Sequence, residues 1–161
     1  MTYNNMLDQD WESVKEIYAQ GIATGNATFQ QEVPGWDEWN KSHLQFGRIV
    51  ARDETGTITG WAALSPVSSR CVYSGVAEVS IYVAAAHAGK QIGTGLLHNL
   101  ISESESKGIW TLQAGIFPEN KGSIRIHEKC GFRMVGYRER IGQMNGLWRD
   151  TVLFERRSKA I

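Results

Sequence analysis

Residues 86–101, AHAGKQIGTGLLHNLI, change character halfway along. The first half is small and glycine-rich, and the second half places apolar residues at helical spacing. The first N–H groups of a helix lack internal partners and that end is partly positive, so a bare backbone here suits a bound anion. A tight strand-to-helix turn has the same composition. The stretch predicts a turn into a helix and leaves the anion open.

Composition limits the class of protein. The 161 residues are 42% hydrophobic, which predicts a single domain over residues 1–161. Lys plus Arg and Asp plus Glu each number 17 and are interspersed, so neither a nucleic-acid nor a membrane partner is expected. Cys71 and Cys130 lie far apart, and we expect neither a secretory leader nor a transmembrane segment. The prediction is a cytoplasmic protein with reduced cysteines.

The first half of the chain predicts two helices and a hairpin. Asp10 is the expected cap of an amphipathic helix over residues 10–22, and Pro34 and Gly35 open a short helix that carries Trp36 and Trp39. This second helix is interpreted either as a substrate lid or as a hydrophobic flap. The β-rich runs 48–53 and 58–67 flank a turn at Gly56, and the sheet is expected to begin with them.

The second half alternates strands and helices. Ala77, Val79, Ile81 and Val83 share one face of a strand whose other face carries Glu78, Ser80 and Tyr82. A surface helix over residues 93–108, a strand over 109–117 and a helix ending at Gly131 follow. Two last strands, 132–141 and 147–155, form a hairpin. The order predicts an α/β or α+β fold with one or two helices on each sheet face.

Several motifs follow one another with characteristic spacing. EVSIYV at residues 78–83 precedes the glycine-rich loop, GIFPEN at 115–120 ends the next strand, and NKGSIRIHEKCGF at 120–132 forms the next helix. In these motifs the chain resembles the GCN5-related N-acetyltransferase superfamily, and within it the phosphinothricin and methionine sulfoximine acetyltransferase branch. The resemblance extends from the first helix and the ATF segment to a terminal G-x-W-x-D pattern at residues 146–150.

The resemblance implies a fold, a donor and a quaternary state. The implied fold is a twisted, mostly antiparallel mixed sheet with a central splayed parallel strand pair and helices on both faces. The implied reaction is direct acetyl transfer from acetyl-CoA to the amine of a small amino-acid-like substrate, in a homodimer. His43, His87 and His98 follow no ligand spacing, so no metal is predicted.

The cofactor site is expected at the edge of the first parallel strand and at the glycine-rich loop. The superfamily loop pattern, [QR]-x-x-G-x-[GA], meets Ala88 and Gln91 where it has a basic or amide residue and a glycine. Backbone amides at the helix start and the cation of Lys90 still suit a pyrophosphate. The predicted cofactor residues are Ile81, Tyr82, Val83, Gly89, Lys90, Gln91, Ile92, Gly93, Thr94, Gly95, Asn120 and Ser123. Asn120 also suits a helix cap.

Two residues carry the expected proton chemistry. An ammonium cannot attack a thioester, so the site needs a proton acceptor, and the resemblance places Glu78 in that role. The alternatives for Glu78 are a solvated carboxylate or a structural ion pair. His127 occupies the position where many members have a tyrosine, and it either donates a proton to the departing thiolate or orients the sulfur. A structural histidine is the alternative.

Two short segments are expected to bind the acceptor substrate. SSRCVY at residues 68–73 matches an R-x-x-Y loop of the branch, with Arg70 suited to a carboxylate and Tyr73 beside it. Thr28 and Phe29 match the segment near the acceptor pocket. Glu78 also faces the acceptor. Surface-loop and packing roles are the alternatives, and the rival functions are a protein N-terminal or polyamine acetyltransferase and a non-catalytic CoA-binding module.

Overall fold

The sheet has seven strands, and the computed structural model describes all of residues 1–161. The strands are β1 (Thr2–Asn5), β2 (Ile49–Arg52), β3 (Ile58–Pro66), β4 (Val76–Val83), β5 (Thr111–Ile116), β6 (Arg133–Met144) and β7 (Leu147–Arg157). Their spatial order is β1-β2-β3-β4-β5-β7-β6. Only the β4–β5 pair is parallel, so the prediction of a mostly antiparallel mixed sheet is confirmed.

Helices cover both sheet faces, as predicted. They are α1 (Trp11–Ala23), α2 (Trp36–Ser42), α3 (Ile92–Ser106) and α4 (Lys121–Lys129). Adjacent residues of β3 show the two layers, because Ala62 and Leu64 belong to the core under α3 whereas Trp61 and Ala63 belong to the core under α1 and α2. Side chains of a strand alternate between faces, so one strand supplies both cores.

The sheet does not begin with the β2–β3 hairpin, which corrects one expectation. Thr2–Asn5 forms an additional edge strand that pairs antiparallel with β2. The segment is short and ends in two asparagines, which are depleted in strands. Pairing with β2 therefore overrides a weak local preference.

The short helix α2 is neither a lid nor a flap. Trp39 is fully buried, with its ring 5.5 Å from that of Trp11 and 5.7 Å from that of Trp61. The two interpretations from sequence are thus wrong, because this aromatic helix completes the core between α1 and β3.

Asp10 does not cap α1, contrary to the prediction. Its backbone is already helical, and its carboxylate accepts hydrogen bonds from the Leu7 N–H and the Arg52 guanidinium instead. Since Arg52 lies at the end of β2, the aspartate joins the helix start to the sheet.

Candidate active site

The two parallel strands separate just beyond Glu78. β4 and β5 pair from Val76–Thr111 to Glu78–Gln113, and β4 then continues to Val83 without a partner on that side. Gly75 accepts a hydrogen bond from the Thr111 N–H, so every second residue after it points its backbone polar groups toward β5. Ile81 and Val83 therefore present N–H and C=O groups to the open gap.

A cavity of about 1040 Å³ occupies this gap. Its walls come from β4, the end of β5, the start of α4 and the loop after α1. It brings together the predicted residues Thr28, Phe29, Glu78, Ile81, Tyr82, Val83, Asn120, Ser123 and His127. Ala88 lines the cavity, but residues 89–95 do not. They form the turn after Ala88 and the first residues of α3.

The turn before α3 leaves a row of backbone donors free. The Gly95 N–H donates to the Gln91 carbonyl at 3.1 Å, but none of the N–H groups from Gly89 to Thr94 has an acceptor in the chain. Unsatisfied amides at a helix start bind phosphate groups. The observed backbone therefore fits the predicted pyrophosphate site.

Gln91 adopts the backbone conformation that usually requires glycine. Its φ is 61° and its ψ is 19°, in the left-handed region. This explains physically why a loop of this shape favours glycine at that position. The Gln91 side chain does not cover the free amides by bonding to them, because its Oε1 accepts a hydrogen bond from the Lys129 ammonium at 3.2 Å.

Gly93 and Gly95 are also required by side-chain packing, which the motif does not show. A Cβ on Gly93 would lie 2.8 Å from the Ile126 side chain of α4, and one on Gly95 would lie 2.0 Å from the Tyr3 hydroxyl of β1. Contacts this short are not tolerated in a packed interior. The two glycines thus permit close packing of α3 as well as an accessible backbone.

Glu78 faces the cavity without a partner in the protein. Its Oε1 lies 3.9 Å from the position of a Cβ on Gly115, across the point where the strands part. None of the ion pairs involves this carboxylate, so a structural ion pair is not its role. The oxygens are free to accept a proton from a group in the cavity.

His127 is buried, and its hydrogen bonds are those of a neutral imidazole. It is 4% exposed, and its Nδ1 lies 2.7 Å from the Ser123 carbonyl oxygen, which only an N–H can donate to. Nε2 then carries the lone pair and has no partner in the chain. Burial lowers the pKa of His127 below its ordinary value. The imidazole therefore offers an acceptor rather than a donor at Nε2.

Asn120 caps α4 and also holds the loop after α1. Its Oδ1 accepts from the Ser123 N–H at 3.2 Å, and its Nδ2 donates to the Asn26 carbonyl at 3.2 Å. The predicted cap is confirmed, and the second bond was not foreseen.

Tyr82 packs behind the cavity wall against a neighbouring strand. Its ring stacks on Trp61 at 4.8 Å, and burial raises its pKa, so the hydroxyl stays protonated. The ring also lies 4.8 Å from that of Tyr18. This part of β4 is therefore packed against α1.

Arg149 is a site-supporting residue that no sequence motif assigns to the site. Its guanidinium donates to the Gly25 carbonyl at 2.9 Å and to Asn26 Oδ1 at 2.8 Å, and it lies 4.0 Å from the Phe117 ring centre. These contacts join the loop after α1 to the end of β5. Arg149 lies inside the G-x-W-x-D pattern, but the pattern does not show its partners, because all of them are more than 30 residues away in sequence.

Arg70 and Tyr73 lie outside the cavity. They occupy the exposed segment before β4, with the Arg70 guanidinium 5.6 Å from the Tyr73 ring centre. The residue that brings a guanidinium to the cavity wall is instead Arg138 of β6, which no sequence motif singles out.

Two further classes of feature are absent from the structure. No three His, Cys, Asp or Glu side chains come together as a metal site. None of the helices combines the length and apolar character that a bilayer crossing requires.

Known proteins resemble this chain in sequence. The model of the Acetyltransferase (GNAT) family matches residues 11–132. A phosphinothricin N-acetyltransferase of Alcaligenes faecalis is 32% identical, over 96% of this chain and 81% of the relative. An L-methionine sulfoximine/L-methionine sulfone acetyltransferase of Salmonella typhimurium is 29% identical, over 91% and 88%.

Solved structures resemble it in fold. A phosphinothricin acetyltransferase from Sinorhizobium meliloti in complex with acetyl-CoA has a TM-score of 0.89 and 29% identity, covering 99% of this chain and 91% of that one. A ribosomal-protein-alanine N-acetyltransferase from Brucella melitensis has a TM-score of 0.89 and 26% identity, covering 98% and 100%.

Proposed function

We propose that this chain, which belongs to the acetyltransferase (GNAT) family, is an acetyl-CoA-dependent N-acetyltransferase of small amino-acid-like acceptors. The observation that carries the proposal is the gap between β4 and β5, with an unpaired Glu78 at its apex. The sequence relatives act on phosphinothricin and on methionine sulfoximine or sulfone by their names.

The residues present fit acetyl-CoA as donor. Acetyl-CoA supplies an acetyl group as a thioester. The open edge at Ile81 and Val83 offers strand-like hydrogen bonds to the pantetheine arm, and the free N–H groups from Gly89 to Thr94 offer donors to the pyrophosphate. Lys90 and Gln91 lie on the same exposed turn. Asn120 and Ser123 border the gap from α4.

Glu78 accepts the proton in the proposed reaction. The acceptor amine is mostly ammonium at neutral pH and becomes a nucleophile only when it loses a proton. Glu78 projects into the cavity from the strand that borders the gap, and no cation in the chain competes for its oxygens. A carboxylate in this position takes the proton directly or through one water.

His127 takes the orienting role rather than the acidic one. Its proton sits on Nδ1 and is donated to the Ser123 carbonyl, so Nε2 holds no proton to give while the ring is neutral. The unpartnered Nε2 instead accepts a hydrogen bond from a group in the cavity.

The acceptor lies on the cavity side walled by Thr28 and Phe29. Phe29 packs edge-on against Phe117 at 4.8 Å, which gives this side an apolar surface. Arg70 and Tyr73 remain proposed carboxylate-binding residues; they reach an acceptor only if their exposed segment rearranges or if they serve the cavity of a second copy.

The proposal includes a homodimer in the cytoplasm. Several large apolar side chains are exposed along the β6–β7 hairpin, among them Tyr137, Ile141, Leu147 and Trp148. Exposed apolar surface of this kind is common at protein interfaces. Cys71 and Cys130 are free thiols, which suits a reducing compartment.

A protein N-terminus is the second candidate acceptor. The fold likeness to a ribosomal-protein-alanine N-acetyltransferase favours it. A non-catalytic CoA-binding module is disfavoured, because binding alone needs no unpaired carboxylate at the gap.

The test is free-thiol release from acetyl-CoA with a panel of acceptors. The panel holds phosphinothricin, methionine sulfone, the common amino acids, spermidine and peptides beginning with alanine. Small amino-acid-like acceptors should give turnover and spermidine should not. Turnover with the peptides alone would replace the proposal by its second candidate. Binding of acetyl-CoA without turnover on any acceptor would leave the binding module.

A further inference from the structure

The charged residues that line the cavity differ in whether they are already paired. They are Glu78, Glu119, Lys121 and Arg138. Glu119 lies 3.5 Å from the Arg149 guanidinium. Lys121 and Arg138 make no ion pair, and of these two cations only Arg138 carries a planar fork of donors. A guanidinium at a cavity wall with all its donors free suits a planar or tetrahedral anion.

The strand register places Arg138 on the same sheet face as Glu78. Directly paired residues of neighbouring strands share a face. Glu78 pairs with Gln113, and Gln113 pairs with Glu155. Thr151 lies an even number of residues from Glu155 and therefore shares its face, and it pairs with Arg138. The proposed proton acceptor and the free guanidinium thus project over one cavity from one surface.

The distance between Glu78 and Arg138 distinguishes an α-carboxylate from an anion at the end of the acceptor's side chain. Three strand spacings of ~4.8 Å and four residues of ~3.3 Å place the two Cα atoms on the order of 15–20 Å apart. The long side chains bring the two charged groups closer together than their Cα atoms. In an amino acid, however, the α-carboxylate is attached to the same carbon as the amine, which is too close to span the remaining distance. An anion several bonds away from the amine matches the spacing better.

A bulge in β6 follows directly after Arg138. The register shifts between Arg138 and Gly142, Arg140 has a φ of 49°, and the Arg140 N–H donates to Asp150 Oδ1 at 2.7 Å. Bulges turn side chains toward functional sites. Arg138 and Ile141, on either side of Arg140, both line the cavity.

Resting on the proposed function, we propose that Arg138 determines acceptor specificity by binding an anionic group on the acceptor's side chain. The preferred class is an α-amino acid whose side chain ends in a phosphinate or carboxylate. Acceptors with a neutral polar end of the same size leave the guanidinium without its ion partner and react more slowly.

The test compares phosphinothricin, whose side chain ends in an anionic phosphinate, with methionine sulfone, whose sulfone is neutral. Arg138→Gln should lower kcat/KM for phosphinothricin about tenfold, the value of one charge-assisted hydrogen bond at a partly hydrated site, through a higher KM. The kcat/KM for methionine sulfone should change less than threefold. Raising the salt concentration should raise the KM for phosphinothricin in the wild type only.

Arg140→Gln is the matched control, because Arg140 lies on the same strand but points over the Trp148 ring and does not line the cavity. It should leave the ratio of the two acceptors unchanged. Equal losses for both acceptors in Arg138→Gln, or loss of the preference in Lys121→Gln instead, would overturn the inference. Turnover of methionine sulfone but not phosphinothricin by the wild type would overturn it too, and the proposed function would stand. Turnover of neither would overturn the inference, whereas the proposed function fails only if no amino acid of the acceptor panel is turned over either.

Discussion

At the scale of single residues, the site depends on side chains whose polar groups have no partner in the chain. Glu78 has no ion pair, and Nε2 of His127 has no hydrogen bond. Buried polar groups are normally satisfied, so the unpartnered Nε2 on the cavity wall is a position where a ligand can supply the missing partner. Glu78 is only partly buried, and its free carboxylate faces the same cavity.

Glu78→Gln is expected to lower kcat by about 10²- to 10⁴-fold, the usual contribution of a general base. Acetyl-CoA affinity should stay within twofold, because the amide keeps the size of the side chain. Thiol-release assays and titration calorimetry measure the two quantities. Glu54→Gln, in the exposed β2–β3 turn, is the control. Unchanged turnover in Glu78→Gln would remove Glu78 from the mechanism.

His127 predicts a pH dependence of the free energy of unfolding. Burial lowers its pKa in the folded chain below the ordinary 6.5, so the unfolded chain binds the proton more readily. This contribution is fully present above pH 6.5 and is lost as the pH falls below that value. His43, whose pKa burial also lowers, adds to the same trend.

Denaturant unfolding at pH 7.5 and pH 5, values about one unit or more on either side of the ordinary histidine pKa, measures this effect. His127→Gln should flatten part of the dependence, whereas the same change at the exposed His98 should not. An equal slope in wild type and His127→Gln would contradict the assignment.

At the scale of elements, the cavity exists because β4 and β5 keep different partners. Beyond Glu78, β4 stays paired with β3 and β5 stays paired with β7. Helix α1 packs under the free part of β4, where Gly21 lies directly against the Tyr82 ring. The gap is therefore held open by packing on both of its sides.

Gly21→Ala tests that packing. A Cβ would lie 2.5 Å from the Tyr82 ring, so overpacking of roughly 1–3 kcal/mol should outweigh the gain of up to ~1 kcal/mol from better helix propensity. Thermal or denaturant unfolding measures the net loss. Gly122→Ala in α4 is the matched control, because nothing lies within 4 Å of its added methyl, and it should not destabilise. A stable Gly21→Ala chain would show that α1 does not rest on Tyr82.

At the scale of the whole molecule, two cores on opposite sheet faces leave the β6–β7 hairpin partly uncovered. Leu147 is 67% exposed and Trp148 is 52% exposed. A second copy is the proposed cover.

Sedimentation should find a dimer, and Leu147→Asp should shift the population toward the monomer because it places a charge in the apolar patch. Leu7→Asp, at an exposed apolar residue near the opposite sheet edge, should leave the dimer intact. A monomeric wild type at micromolar concentration would contradict the proposed dimer.

The sequence by itself predicted the four helices, strands β2–β7 and their order along the chain, together with Glu78, Asn120 and His127 at the gap. Hydrophobic periodicity, glycine placement and motif spacing are local, and they located α1, α3 and the strand carrying Glu78 closely. They also located Asn120 and His127, since both lie on one helix that a short motif specifies.

Only the tertiary structure decided what depends on contacts between distant residues. Strand β1 forms because β2 offers it an edge, Trp39 is core because α1 and β3 enclose it, and Arg138 lines the cavity because its pairing with Thr151 of β7 places it on the sheet face of Glu78. None of these outcomes follows from local propensity, because each is decided by which segments pack together.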